Sequence, residues 1–253
     1  MSYCVYLKRK QTLPAESVAR LIAEIPGLSL ADGQQMVRRC RGFLIEHLEA
    51  GAALKLVEDL RKLEVDAECR QIRELVPNPR SVLVRSGQFA PQVCTVQDWK
   101  SQDETLSWED VFFMSVTCLQ ELEMPESVRK KMKEGPAPGA SAGLEEPPEK
   151  KAYLLDFFMA EPRSHRRIQS TEFRYDYLGQ RMQRSSVANF ASMLHDFDRY
   201  ASSARRDDGF KAVLEEKWDR VPGFTAIYEV DEYHRWILQT LSESGSALHR
   251  RTF

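Results

Sequence analysis

The sequence predicts an α+β protein with two domains, and three observations lead to this prediction. Apolar residues recur at helical spacing in several segments and alternate with polar residues in others. Pro77 and Pro79 interrupt the chain, because proline continues neither a helix nor a central strand. Beyond them the predicted strands come first and the predicted helices last, which is typical of the α+β class. We therefore predict a first domain at 1–76 and a second domain at 80–253.

The composition is typical of a globular protein without a membrane-spanning segment. Of the 253 residues, 42% are hydrophobic and 29% are charged, and the formal net charge is -2. Because neither sign of charge dominates, nucleic acid is not a favoured partner. The first ten residues lack the pattern of a signal peptide, and no apolar stretch reaches about 18 residues. Five widely spaced cysteines without a Cys-x-x-Cys pair predict reduced thiols, so we expect a cytoplasmic protein with no metal and no cofactor.

The first domain is predicted to contain three helices and three strands. Tyr3 to Lys8 alternate as a strand, and a helix capped by Thr12 runs to Ile25, where Pro26-Gly27 ends it. Ser29 followed by Asp32 predicts a capping box at the start of the second helix. The remaining predicted elements are a strand or extended link at 43–48, a helix from Gly51 and a half-exposed strand at 65–70.

Two runs in this domain resemble a known family. Gly-Leu-Ser-Leu-Ala-Asp-Gly-Gln-Gln-Met-Val at 27–37 and Leu-Lys-Leu-Val-Glu-Asp-Leu-Arg-Lys-Leu-Glu-Val-Asp-Ala-Glu at 54–68 resemble the C-terminal domain of the bacterial ribosomal stalk protein. The resemblance covers residues 3–72 and implies three helices on one face of a small antiparallel sheet. Basic residues on the first two helices of that family contact translational GTPases. Arg20 keeps the charge here and is the implied partner-contact residue, whereas the other aligned positions are Ala23, Ala31 and Gln34.

The second domain is predicted to consist of antiparallel strands followed by helices, with a pleckstrin-homology-like barrel as one arrangement of them. Arg163 to Arg167 is predicted as a turn. The predicted strands are 81–85, 92–96, part of 105–119, 153–159, 168–177 and 224–230. The predicted helices begin at Ser185 or Ser186, at Asp208-Gly209 and at Asp231.

Residues 134–150 predict a disordered segment. They contain four prolines among Gly, Ala, Ser and Glu, and Leu144 is their one large apolar residue, so the segment cannot bury enough surface to order itself. It either separates two domains or is an insertion within the second domain.

Arginine is concentrated in one part of the second domain. From Arg163 to Arg184 six arginines face two acidic residues, a local net charge of +4. Planar guanidinium groups suit carboxylate or phosphate recognition, so this segment is the candidate binding site for another protein or an anionic ligand. The alternative is a solvated strand edge, where charge prevents aggregation. The candidate residues are Arg163, Arg166, Arg167, Arg174, Arg181 and Arg184.

The sequence contains no reaction motif, so we predict a non-catalytic interaction protein. Ser185 and Ser186 lie outside any Gly-x-Ser-x-Gly elbow and are better explained as helix caps. Two alternatives remain open. One is a translation-associated protein that contacts the ribosome or a GTPase factor through Arg20. The other is an enzyme that uses His195 with Asp156 or Asp198.

Overall fold

The computed structural model describes residues 1–77, 80–122, 149–160 and 164–243 of the chain. It confirms an α+β protein. The chain divides into two compact units, one formed by 1–79 with 228–253 and the other by 80–227. The sequence assigned all of 80–253 to the second domain, so the position of the last helix is a correction. That helix packs with the first unit because its aromatic side covers a sheet there.

The first unit is built on a three-stranded antiparallel sheet with the order β2-β1-β3. Helices α1, α2 and α3 supply apolar side chains to one face of this sheet. The bounds are β1 (Tyr3–Leu7), α1 (Ala15–Ala23), α2 (Leu30–Arg39), β2 (Phe43–Leu48), α3 (Ala50–Lys62) and β3 (Ala67–Gln71), followed by a 3-10 turn at Ile72–Glu74.

The second unit contains a mixed sheet with the order β10-β7-β8-β9-β4-β5-β6, and β11 also pairs with β7. The strands are β4 (Arg80–Ala90), β5 (Val93–Asp98), β6 (Asp103–Leu106), β7 (Val111–Leu122), β8 (Glu149–Met159), β9 (Ser164–Gln169), β10 (Arg205–Arg206) and β11 (Gly223–Phe224). The helices are α4 (Ser186–Tyr200) and α5 (Asp208–Leu214). β4 pairs with β9 in parallel, as do β10 and β11 with β7. The prediction of antiparallel strands is therefore wrong for these pairs.

The last helix, α6 (Ile227–Glu243), completes the first unit. The Trp236 indole N–H donates to the Leu7 carbonyl oxygen at 2.5 Å, and Glu243 accepts from the Tyr6 hydroxyl. The Arg235 guanidinium lies over the Phe43 ring, 4.7 Å from its centroid. Val5 and Leu7 belong to the core shared with α1 to α3, so successive residues of β1 face opposite sides. β1 is consequently buried on both faces.

Of the two helix starts predicted in the first domain from capping residues, one is confirmed and one is wrong. Ser29 accepts from the Asp32 backbone N–H, and Asp32 accepts from the Ser29 backbone N–H, so the predicted capping box is confirmed. Thr12 does not cap α1. That helix starts after Pro14, which makes no side-chain cap bond, and it ends at Ala23 rather than Ile25.

Several predictions for the second domain are wrong in detail. The predicted turn at 163–167 lies in β9 from Ser164 onward, and β9 ends at Gln169 instead of continuing to Tyr177. The predicted strand at 224–230 is the short β11 followed by the start of α6, so Asp231 lies inside the helix and does not cap it. Glu149 and Lys150, predicted to end a disordered segment, begin β8. The rest of that segment, 134–148, lies outside the described residues.

Candidate functional site

The outer edge of β3 carries backbone groups that the sheet does not use. Lys8 N donates to Asp66 O at 3.0 Å, and Ile72 N donates to Ser2 O at 3.0 Å. In an antiparallel ladder the hydrogen-bonded pairs alternate, so Glu68 and Arg70 also bond to β1. The N–H and C=O groups of the odd-numbered residues Ala67, Cys69 and Gln71 therefore point away from β1. Within the described residues no strand pairs with this edge.

A groove of about 450 Å³ runs beside this edge. One wall is formed by Ala67 and Cys69 of β3, and the other by Val57 and Arg61 of α3, with Lys8 also contributing. All five residues of β3 are half-buried, and burial raises the pKa of the Cys69 thiol, so that side chain is a neutral packing group. An open strand edge next to a helix is an arrangement that accepts an extended peptide.

Some charged residues of the groove form ion pairs, and others do not. Asp66 pairs with Arg9 at 3.5 Å, and Glu68 pairs with Arg70 at 3.1 Å. Lys8 and Arg61 are both exposed, and neither forms an ion pair with another residue in the part of the chain that the structure describes.

The candidate arginines do not converge on one surface. Arg166 and Arg167 are neighbours on β9 and so point to opposite faces of the sheet. The Arg166 guanidinium binds the carboxylate of Glu104, with Nε to Oε2 at 2.8 Å. The Arg167 guanidinium binds Asp156, with Nε to Oδ1 at 2.6 Å. Both arginines are at most 4% exposed, so neither is presented to a ligand in solution.

Three further candidates lie after β9. Arg174 pairs with Asp176 at 2.7 Å on an exposed surface. Arg181 makes two hydrogen bonds to the buried carboxylate of Asp196, at 3.0 and 2.8 Å, and this contact raises the pKa of the guanidinium. Arg184 is exposed. The last candidate, Arg163, lies outside the described residues.

Arg20, the candidate from the family resemblance, lies on the exposed side of α1. Its guanidinium pairs with Glu16 one turn earlier on the same helix, and both side chains are at least 70% exposed. Exposed pairs of this kind contribute roughly 0–1 kcal/mol, so Glu16 restrains Arg20 weakly.

The structure separates His195 from the carboxylate proposed to act with it. His195 is on the exposed side of α4. Phe157 of β8 contacts Phe197 of α4, with ring centroids 5.3 Å apart, so its neighbour Asp156 points to the other face of the sheet. The second proposed carboxylate, Asp198, pairs with Arg206 at 2.6 Å.

Asp156 instead belongs to a buried polar cluster that the sequence did not predict. Its Oδ1 lies 2.8 Å from His165 Nε2 and 2.6 Å from Arg167 Nε. The His165 ring stacks on Phe158 with centroids 4.6 Å apart. All of these side chains are at most 3% exposed, and their contacts join β8 to β9. The alternation of apolar and polar residues in these strands gave no sign of the pairing.

A second buried carboxylate, Asp207, joins β7 to α5. It accepts from the Phe210 backbone N–H at 2.7 Å as the helix cap, from Val116 N at 3.2 Å, and from the Ser115 hydroxyl at 2.6 Å. Burial raises the pKa of this carboxyl to about 6, although these hydrogen bonds oppose the shift.

Comparison of the chain with protein-family models, with curated proteins and with solved structures found no match. Among the described residues, no helix is long and apolar enough to cross a membrane.

The β3 edge can be assigned a role only from its own geometry, because no similar protein was found. The sequence predicted β3 as a half-exposed strand, but the groove depends on where α3 packs, which the sequence pattern does not show.

Proposed function

We propose that the protein is a non-catalytic binding protein whose first unit takes up an extended segment of a partner protein beside β3. The observation that carries this proposal is the row of outward backbone groups at Ala67, Cys69 and Gln71, next to the groove formed with α3. Added strands gain affinity from main-chain hydrogen bonds and specificity from alternate side chains. Here those alternate side chains would enter the groove.

The family resemblance supports a scaffold of this kind. The order β1-α1-α2-β2-α3-β3, with helices on one face of a β2-β1-β3 sheet, agrees with what a stalk-like domain implies. We propose that the first unit reuses this scaffold. The parallel pairing of β4 with β9 does not support a pleckstrin-homology-like arrangement of the second unit, which was predicted from antiparallel strands.

The two alternative functions have weaker support. Translation-factor contact would depend on Arg20, whose aligned neighbours Ala23, Ala31 and Gln34 carry no charge. An enzyme using His195 would need a carboxylate partner, but Asp156 lies on the other face of the sheet and Asp198 is paired with Arg206.

The proposal predicts that binding depends on an outward N–H of β3. The probe is a random library of octapeptides displayed on phage in two formats, one flanked on both sides and one ending in a free carboxyl group. We expect enrichment on the wild-type protein in at least one format. Cys69→Pro removes an outward donor without removing a bond to β1, so it should abolish the enrichment, whereas Cys69→Ala keeps the donor and should retain it.

A second measurement does not depend on the folding of the proline variant. Enriched peptides are synthesised with a single N-methyl group at successive positions. Because alternate residues of an added strand face β3, methylation should weaken binding at every second position. The absence of enrichment in both formats, or equal tolerance of methylation at all positions, would contradict the proposed function.

A further inference from the structure

The two cations of the groove lie at one end of β3. Lys8 follows β1 and its backbone N–H bonds to Asp66 O, directly before Ala67. Arg61 is in the last turn of α3, and its carbonyl accepts from Glu64 N at 3.0 Å. At the other end of the strand, Arg70 is engaged by Glu68 and by Glu243 at 3.1 and 3.4 Å. Among the residues that line the groove, positive charge without an ion-pair partner in the described chain therefore lies at the Ala67 end.

The acidic residues of the groove only partly offset this charge. Asp66 and Glu68 are each paired with an arginine of the same unit. Glu64 is the remaining acid among the groove residues, against Lys8 and Arg61. A local excess of one positive charge remains, and it lies beyond the end of the strand rather than along it.

The direction of an added strand determines which of its groups meets these cations. Antiparallel pairing is slightly more stable per residue than parallel pairing, and β3 already pairs in this way with β1. A strand antiparallel to β3 has its carboxyl end beside Ala67. We propose, on the basis of the proposed function, that the groove binds the free C-terminus of a partner protein, with the terminal carboxylate held by Lys8 and Arg61. An internal segment would leave both cations without that partner.

The test compares one peptide in two chemical forms. A peptide enriched on the wild-type protein is synthesised with a free C-terminal carboxylate and with a C-terminal amide, and both are titrated by fluorescence anisotropy. We expect the amide to bind about tenfold more weakly or worse, which corresponds to the loss of about 1.4 kcal/mol of binding free energy. Lys8→Gln and Arg61→Gln should each weaken binding of the carboxylate form and leave binding of the amide form nearly unchanged. Arg20→Gln is the matched control, because Arg20 is an exposed cation that does not line the groove.

The outcomes separate this inference from the proposed function. If both peptide forms bind equally well and Cys69→Pro still abolishes binding, the groove takes an internal segment and the carboxylate inference is wrong. If the flanked format of the library enriches as strongly as the free-carboxyl format, the inference is also wrong. If neither format enriches any peptide, the proposed function itself fails.

Discussion

Individual charged residues of the second unit acquire their roles from partners distant in sequence. Arg166 pairs with Glu104, Arg167 with Asp156, and Arg181 with Asp196. None of these carboxylates lies between residues 163 and 184, so the local charge of +4 overstates the charge that this surface presents. Guanidinium groups suit such pairs because their planar shape matches a carboxylate.

The ionisation of Asp207 leads to a prediction about how stability depends on pH. Burial raises the pKa of Asp207 from 3.8 to about 6, so the folded state favours the protonated carboxyl more than the unfolded state does. The stabilisation from that protonated group is complete below pH 3.8 and is lost as the pH rises through 6. At neutral pH this corresponds to a cost of up to about 3 kcal/mol. Asp207→Asn keeps the one oxygen that accepts from both Phe210 N and Val116 N, and it carries no charge. We expect this variant to be more stable than the wild type at pH 7, with a smaller difference near pH 4.

The measurement is urea unfolding of both proteins at several pH values between 4 and 7. Asp219→Asn serves as the control, because it removes a carboxyl from an exposed position. An Asp207→Asn variant that is equally destabilised at every pH would show that the cap requires the carboxylate, and the prediction would then be wrong.

At the scale of elements, the contact between α6 and the start of β2 leaves no room for a side chain at Gly42. Gly42 has a φ of 123°, and a Cβ atom there would lie 2.0 Å from Cγ of Trp236. The backbone and the indole ring can approach this closely because glycine has no side chain. The same ring donates to Leu7 O, so one tryptophan joins α6 to both β1 and the turn before β2.

Gly42→Ala should therefore destabilise the first unit by about 3 kcal/mol or more, from overpacking combined with backbone strain. Gly51→Ala is the matched control, since no atom lies within 4 Å of the added carbon. It should be neutral or slightly stabilising, as alanine favours a helix. Urea midpoints measure both effects.

A double-variant cycle tests the cause. In a Trp236→Ala background the added methyl group no longer meets the ring, so Gly42→Ala should cost less there. An equal cost in both backgrounds would mean that the ring contact is not responsible.

On the scale of the whole molecule, the first unit is discontinuous in sequence. Residues 1–79 and the part of α6 that follows Ile227 belong to one compact unit, although residues 80–227 separate them. Cys4 and Tyr6, on the face of β1 opposite α1 to α3, are fully buried. Burial of that face is part of the stability of the unit, so the first unit depends on the last helix.

A variant that ends at Ile227 should consequently lose hydrogen-exchange protection in β1, β2 and β3, because exposed apolar surface replaces the contacts of α6. A variant that ends at Glu243 keeps α6 and should retain the protection. Equal protection in the two truncated variants would contradict the dependence of the first unit on α6.

The sequence by itself determined the α+β class, the capping box at Ser29, a serine cap at Ser185 or Ser186 and most of the strands and helices, since these depend on local periodicity and on caps within a few residues. The tertiary structure decided where α6 packs, the parallel partner of β9, the carboxylate partner of each buried arginine and the groove beside β3. These features join residues far apart in the chain. Local pattern shows which side of a strand is apolar, but the edge that remains open depends on how the distant elements are arranged around it.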